Sequence, residues 1–178
     1  ENITVKKEQA LLLHNEYVGF LTAKNEFINF RDITGKNKRY VKYSIFKNLE
    51  NTRKMYVIPN NIDLLSTKRV TINLAEGVFD ILSIWNHIYD RETDNIVYSA
   101  VCGSGYITVV KYFLQMGLFG DVDINIYSDN DHEPSFYKDM IKEVDDWINK
   151  VTLYYNDTRG EKDFGVSKDK ISITRKRL

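Results

Sequence analysis

The sequence predicts an α/β protein. A mostly parallel four-stranded sheet flanked by helices is expected in residues 69–178, after a small β-rich subdomain in residues 1–68. Two observations predict it: short alternating apolar and polar runs fill the first part, and from residue 69 onward each apolar run is followed by a longer stretch with helical spacing. Alternation of strand and helix favours a parallel sheet, because each helix carries the chain back across a face of the sheet.

The β-rich subdomain is predicted from four short runs that end at turn-forming residues. Alternation with a period of two indicates half-buried strands, and glycine, asparagine and proline interrupt it, as at Gly35 and Pro59. The four runs are "EYVGFLTA", "EFINFRDI", "RYVKYSIF" and "KMYVIP".

This subdomain is basic, although the whole chain carries no net charge. It holds 12 lysines and arginines against 7 acids, whereas the rest of the chain holds 13 against 18. Arg31, Arg39 and Lys42 lie in a segment that also carries Tyr40 and Tyr43. Basic and aromatic residues mixed in this way suit a phosphate backbone with bases stacked beside it. The alternative is a solvated hairpin whose outer face is basic.

The second domain is predicted to run β-α-β-α-β-α-β, with the strands "VTINLA", "NIVYSAV", "VDINIY" and "VTLYY". In its first helix the spacing predicts a buried stripe of Phe79, Leu82 and Trp85. The last helix is predicted to have Pro134 in its first turn, where the missing N–H costs nothing. Its predicted buried stripe is Phe136, Met140, Val144 and Trp147.

Three acidic residues follow strands of the predicted sheet. Glu76 comes directly after the first strand, and Asp129 and Asp131 follow the third, in "YSDND". Ligands of open parallel sheets bind beyond the carboxyl ends of the strands, and carboxylates crowded there repel one another unless a cation offsets their charge. An all-oxygen set favours Mg²⁺ or Mn²⁺. This interpretation requires that no lysine or arginine fill the space between the acids.

A simpler interpretation of the two aspartates is local turn chemistry. A D-x-D loop commonly forms an Asx turn, and Asp131 could cap the helix at Pro134. Glu76 has no evident capping role, since it is followed by a glycine and comes directly after an apolar strand.

Composition restricts the class of protein further. Cys102 is the only cysteine, which excludes an intrachain disulfide, and no cysteine and histidine spacing fits a zinc site. A reducing, cytoplasmic setting is therefore expected. No apolar run approaches the roughly 20 residues that span a bilayer, so no membrane partner is expected.

These motifs together resemble those of the Toprim domain. "LAEGVFD" is similar to its first motif and "YSDND" to its second, while "AVCGSGYIT" lies between them and "LYYNDTRGEKDFGV" matches the closing strand and later "KD" loop. Within that family the chain is most like the catalytic core of bacterial-type DNA primases, especially those of bacteriophages. The β-rich segment before the domain supports this resemblance, because a similar segment leads into Toprim in those enzymes.

The resemblance implies a Toprim-like fold and a nucleotidyltransferase that makes RNA primers on single-stranded DNA. Its implied cofactor is Mg²⁺ or Mn²⁺, and its implied partners are a single-stranded DNA template, ribonucleoside triphosphates and a replicative helicase. The implied catalytic and metal-binding residues are Glu76, Asp129 and Asp131. Asp80 and Asp163 are implied supporting residues, and Arg31, Arg39 and Lys42 are implied to bind nucleic acid or nucleotide.

Two other functions remain open. A Toprim nuclease would use the same acids to direct water at a phosphodiester, and a non-catalytic module would bind single-stranded nucleic acid through its basic residues. No zinc-binding module precedes the core and no helical subdomain follows it, so a fragment or a reduced version of a primase is expected, in the host cytoplasm if a phage encodes it.

Overall fold

The computed structural model describes residues 16–22, 27–36, 41–44, 54–58, 69–88, 95–117 and 120–178. The chain divides into two compact units, Glu1–Tyr56 and Val57–Leu178. The domain boundary expected from the sequence, between residues 68 and 69, lies further along the chain, after a stretch outside the described residues.

The first unit contains a three-stranded antiparallel sheet in the order β1-β2-β3. Its strands are β1 Tyr17–Leu21, β2 Phe27–Asp32 and β3 Val41–Ser44. Gly19 in β1 pairs with Phe30 in β2, and a Cβ at Gly19 would lie 2.8 Å from the Phe30 ring. The buried Asn29 amide donates to the Lys54 carbonyl (3.3 Å), which ties β2 to the segment that follows the sheet along the chain.

The second unit is built on a six-stranded sheet in the order β4-β6-β5-β7-β8-β9. The strands of this sheet are β4 Tyr56–Val57, which contains the boundary between the two units, β5 Val70–Ala75, β6 Ile96–Ala100, β7 Val122–Ser128, β8 Lys150–Asn156 and β9 Ile173–Arg177. The four neighbouring strands β6, β5, β7 and β8 are parallel, and β9 is antiparallel to β8. The prediction of a mostly parallel sheet is confirmed, whereas its strand count of four is wrong because a short strand joins each edge.

Three helices connect the parallel strands: α1 Val78–Ile88, α2 Tyr106–Met116 and α3 Pro134–Lys142. Two one-turn 3-10 helices, Asp145–Trp147 and Lys168–Lys170, precede and follow β8. The core lies on the central strands, where Val70, Ile72 and Leu74 of β5 are completely buried. None of the helices in the described part of the chain is long and apolar enough to cross a membrane.

The buried stripe of α1 differs from the predicted one. Val78, Ile81 and Ile84 are completely buried, whereas Phe79 and Trp85 are 37% and 40% exposed. Both stripes have the same helical spacing and differ by one residue, or about 100° around the helix. Spacing fixes the period of a stripe and leaves its phase to tertiary packing.

The last helix is shorter than predicted. Pro134 lies in its first turn as expected, but α3 ends at Lys142, and Val144 already has a non-helical backbone (φ −133°, ψ 9°). Tyr137 is therefore the residue that α3 buries completely, while Phe136 is 43% and Trp147 is 70% exposed. Val144 is buried as predicted, although it lies outside the helix.

Candidate functional site

Glu76 and Asp129 end neighbouring parallel strands. The last residue pair between β5 and β7 is Ala75 with Tyr127, so Glu76 directly follows β5 while Asp129 follows Ser128 at the end of β7. The Glu76 carbonyl accepts from the Cys102 N–H (2.8 Å), which fixes the turn after β5 to the turn after β6. The topology thus places two of the three predicted acids at one edge of the sheet.

Asp131 lies in the turn after Asp129 and is exposed. The turn is closed by the His132 N–H, which donates to the Asp129 carbonyl (3.1 Å). The residue at the N-cap of α3 is Glu133, whose side chain makes no capping hydrogen bond. The interpretation of Asp131 as the cap of this helix is therefore wrong. Its carboxylate acts electrostatically on Glu76, as does that of Asp129, and the part of the sheet that carries these three acids is called the acidic edge below.

The charges of neighbouring acids act on both Glu76 and Asp129. Burial raises the pKa of Glu76, and the charges of Asp129 and Asp131 raise it further, against the opposing effects of His132 and Lys162. Burial also raises the pKa of Asp129, and an ion pair with Lys162 offsets that only in part. The edge is therefore a place where added positive charge is favourable.

Lys162 supplies one positive charge at this edge. Its Nζ lies 3.2 Å from Asp129 Oδ2 and 3.7 Å from Asp163 Oδ2. Burial alone would lower the pKa of Lys162, but the neighbouring aspartates raise it. The sequence motif "EKDFG" drew attention to Asp163, and the lysine before it was missed. The condition that no basic side chain approach the acids is therefore not met at Asp129.

Asp80 joins the turn that carries Glu76 to the loop that carries Lys162. Its carboxylate accepts from the Gly77 N–H (3.0 Å) and from the Gly165 N–H. Burial, followed by the charges of Asp163 and Asp129, raises the pKa of Asp80 to about 7. The predicted supporting position of Asp80 thus corresponds to a buried carboxylate that bridges two backbone segments beside the acids.

Gly165 approaches α1 so closely that no side chain fits there. A Cβ at this position would lie 2.9 Å from Asp80 Oδ1 and 3.5 Å from the Phe79 Cβ. Next to it, Ser83 Oγ donates to the Val166 carbonyl (2.9 Å), and Asp163 Oδ1 accepts from the Gly165 N–H (3.1 Å). The loop is held against α1 by these contacts, and Asp163 contributes a turn within the loop in addition to its contact with Lys162.

The loop after β8 is also fixed by a completely buried asparagine, Asn156. Its Nδ2 donates to the carbonyls of Asp163 and Lys170, both at 2.9 Å. Its Oδ1 accepts from the backbone N–H groups of Thr158 (3.2 Å) and Ser172 (3.1 Å). One side chain thus satisfies four backbone groups at the two ends of the loop.

A second asparagine connects this loop to the D-x-D turn. The Asn130 N–H donates to the Lys162 carbonyl (2.7 Å), and its Nδ2 donates to the carbonyls of Asn156 (2.6 Å) and Glu161 (3.2 Å). The backbone of Lys162 is therefore held beside Asp129, while its side chain is 70% exposed.

The donor set has the chemistry that a hard divalent cation requires, since every candidate ligand is a carboxylate oxygen. Its geometry is that of a lysine-neutralised cluster. Within the described ranges, no group of three acidic, histidine or cysteine side chains lies close enough together to hold a metal ion. Glu76, Asp129 and Asp131 therefore fit Mg²⁺ by donor type, and Asp129 is engaged by Lys162 in this structure.

The three predicted nucleic-acid-binding residues belong to the first unit. Arg31 lies in β2 opposite Val18 and is half-buried, and Lys42 lies in β3 opposite Asn29. Arg39 falls outside the described residues. The expectation that these three line a basic surface beside the acids stays a prediction.

A groove of about 310 Å³ opens at the other end of the sheet, between α3 and the start of β8. Apolar lining comes from Ile141, Ile148 and Val151. Its basic lining residues are Lys138, Lys142, Lys150 and Arg177, against the single acid Asp145. This surface is suited to anions and is separate from the acidic edge.

Comparison of the chain with protein-family models, with curated proteins and with solved structures finds no match.

Proposed function

We propose that this chain is a primase-type nucleotidyltransferase core of the Toprim kind, which joins ribonucleotides into RNA primers on single-stranded DNA. The observation that carries the proposal is the placement of Glu76 and Asp129 directly after two adjacent parallel strands, where burial raises both pKa values. The charge of Asp129 raises the pKa of Glu76 further, and the charges of Asp163 and Asp131 raise that of Asp129. Repulsion between like charges is unfavourable, and a bound cation or ligand that offsets it makes such a cluster of acids favourable.

Asp129 and Asp131 would hold Mg²⁺ or Mn²⁺ through their carboxylate oxygens, and Glu76 would either join them as a ligand or act as the general base. A bound divalent cation would supply charge neutralisation for the attacking and leaving oxygens of the phosphoryl transfer. Lys162 competes for Asp129, but its ammonium is mostly in water. An ion pair of this exposed kind contributes only about 0–1 kcal/mol, so a divalent ion can displace it.

The protein side chains have further roles in this proposal. Glu76 has a raised pKa and is half-buried, which suits a group that accepts a proton from the attacking 3′-hydroxyl. Once displaced from Asp129, the Lys162 ammonium lies beside the acids and can contact the phosphates of the incoming nucleotide. Asp80 positions Glu76 by holding the Gly77 N–H.

The proposal is tested by incubating the chain with single-stranded DNA, ribonucleoside triphosphates and Mg²⁺ or Mn²⁺, and separating the products on a sequencing gel. We expect short RNA products that disappear in Glu76→Gln and Asp129→Asn, with circular dichroism spectra unchanged. Asp139→Asn is the matched control, because Asp139 is an exposed acid paired with Lys142 away from this edge. Wild-type synthesis in both acid variants would remove the assignment.

The same assay distinguishes the nuclease alternative. A nuclease would use the same acids to direct water at a phosphodiester, so the labelled template would be shortened and no ribonucleotide would be incorporated. Loss of cutting in Asp129→Asn would then assign the edge to hydrolysis.

One observation favours the second candidate function, a non-catalytic module that binds single-stranded nucleic acid. Lys162 already neutralises Asp129, as expected of an acidic edge that holds no metal. In that case Mg²⁺ would not change the melting temperature. Asp129→Asn removes the shorter of the two ion pairs of Lys162 and would bind single-stranded DNA as tightly as the wild type or more tightly. Charge reversal at Arg31 and Lys42 would reduce the salt dependence of binding.

A further inference from the structure

The imidazole of His132 stacks on the ring of Phe136 beside the acidic edge. The ring centroids are 4.6 Å apart and the planes differ by 12°. Phe136 is 43% exposed, although a ring of this size at this spacing in α3 was predicted to be buried. A large aromatic surface is thus presented to solvent next to a site suited to phosphate chemistry.

Two tyrosines hold His132 of this aromatic pair in place. Tyr155 Oη donates to the His132 carbonyl (3.1 Å), and Tyr137 Oη lies 3.4 Å from His132 Nδ1. Tyr137 is completely buried, and its hydroxyl is also 2.8 Å from Ser128 Oγ, at the end of β7. The His132 ring thus contacts the buried Tyr137 and its backbone is held by the half-buried Tyr155, so little conformational entropy is lost when a flat ligand stacks on the pair.

The pair is continuous with the acidic edge. His132 belongs to the turn that Asp129 begins, and its charge acts on the Glu76 carboxylate. A ligand that places phosphate oxygens near Lys162 and the acids would therefore extend its base toward Phe136.

We propose that His132 and Phe136 form a stacking platform for one nucleobase of the bound nucleic acid or nucleotide. This inference rests on the proposed function, since it assigns a base-binding subsite to the same edge. Stacking of a base on an aromatic side chain tolerates any sequence, because every base has a π-face, and removal of the aromatic ring weakens binding roughly 5- to 100-fold.

The test compares two single-stranded oligomers with equal numbers of phosphates: oligothymidylate and an abasic-spacer oligomer. Binding is measured by fluorescence anisotropy for the wild type, Phe136→Leu and Phe136→Trp. Leucine keeps apolar bulk and removes the π-face, whereas tryptophan keeps the π-face and adds an emission signal. Trp147→Leu is the control, because Trp147 is a more exposed aromatic residue that has no contact with His132 among those described.

We expect Phe136→Leu to weaken oligothymidylate binding roughly 5- to 100-fold and to leave abasic binding unchanged. Phe136→Trp should bind oligothymidylate like the wild type, with its emission quenched by the base, and Trp147→Leu should change neither oligomer. An equal effect of Phe136→Leu on both oligomers, or no effect, would overturn the platform and leave nucleic-acid binding standing. Failure of the wild type to bind either oligomer would overturn the proposed function, and the platform with it.

Discussion

Lys162 Nζ lies 3.2 Å from Asp129 Oδ2. The loop after β8 therefore supplies a positive charge to the aspartate that follows the neighbouring strand β7. The two partners differ in environment, because the lysine side chain is 70% exposed while that of the aspartate is 12% exposed. The pair therefore affects the charge of Asp129 more than it affects the stability of the fold.

Removing the lysine charge should raise the pKa of Asp129. In the wild type, burial raises this pKa and Lys162 lowers it, so Lys162→Met leaves the burial effect unopposed. The measurement is a carboxyl ¹³C titration by NMR. Lys142→Met is the control, since Lys142 pairs with the exposed Asp139. An unshifted Asp129 titration in Lys162→Met would mean that the ion pair does not form in solution.

Asp80 should make the protein less stable as pH rises toward and above neutrality. Its folded-state pKa of about 7 exceeds the ordinary value of 3.8 for an aspartate, so the folded state holds the proton more tightly than the unfolded state. Stability gained from that proton is complete below the unfolded pKa and is lost as pH rises through the folded one. Between pH 5 and pH 8 the loss is about 2–3 kcal/mol.

This pH dependence should be reduced in Asp80→Asn, which carries no charge to bury. Urea unfolding at a series of pH values measures the free energy of unfolding for both proteins. Asp139→Asn is a suitable control, because Asp139 is exposed and its pKa is lowered by Lys142. Parallel pH profiles for wild type and Asp80→Asn would contradict the assignment of a buried, protonatable carboxyl.

Gly165→Ala should destabilise the second unit by about 1–3 kcal/mol. The added methyl group would lie 2.9 Å from Asp80 Oδ1, and the aspartate cannot move away without losing its backbone donors. Thermal unfolding measures the effect. In Gly105→Ala the new methyl group meets nothing within 4 Å, so a change below about 1 kcal/mol is expected there. Equal melting temperatures for both variants would mean that α1 and the loop are further apart than described.

Asn156→Ala should cost about 2–4 kcal/mol, because four backbone groups lose their partner in a buried position. Asn149→Ala removes a single exposed contact with Asp123 and should change the free energy of unfolding by less than about 1 kcal/mol. Chemical denaturation of the two variants checks the difference. A similar cost at both sites would show that the loop does not depend on Asn156.

The sheet and its acidic edge were predictable because their signals are local. Apolar β-type runs set the strands, and the position directly after a strand placed Glu76 and Asp129 at one edge once β5 and β7 were neighbours. Two short strands at the sheet edges were the exceptions, since β4 has two residues and β9 has no buried face. β4 lies within the predicted run "KMYVIP", which the sequence assigned to the first subdomain, whereas β9 lacks the alternation by which half-buried strands are recognised.

Lys162 was missed and Phe136 was wrongly predicted to be buried, because the positions of both depend on parts of the chain outside their own motifs. The lysine is 33 residues from Asp129 and is brought there by the buried amide of Asn156 and by Asn130. Phe136 has the spacing of a buried residue, but Tyr137 fills the space below α3. Side-chain spacing identifies a stripe, and only the neighbouring elements decide which stripe is inward.

The strand β9 affects the tendency of the protein to self-associate at high concentration. All five of its residues are exposed, and Arg175, Lys176 and Arg177 place charge on the last strand of the sheet, where open backbone groups invite pairing with another molecule. Beside it in the sheet, β8 carries the run "KVTLYYN", which is rich in β-branched and aromatic residues. A chain cut before β9 would uncover that run, and light scattering should then detect self-association that the intact strand prevents.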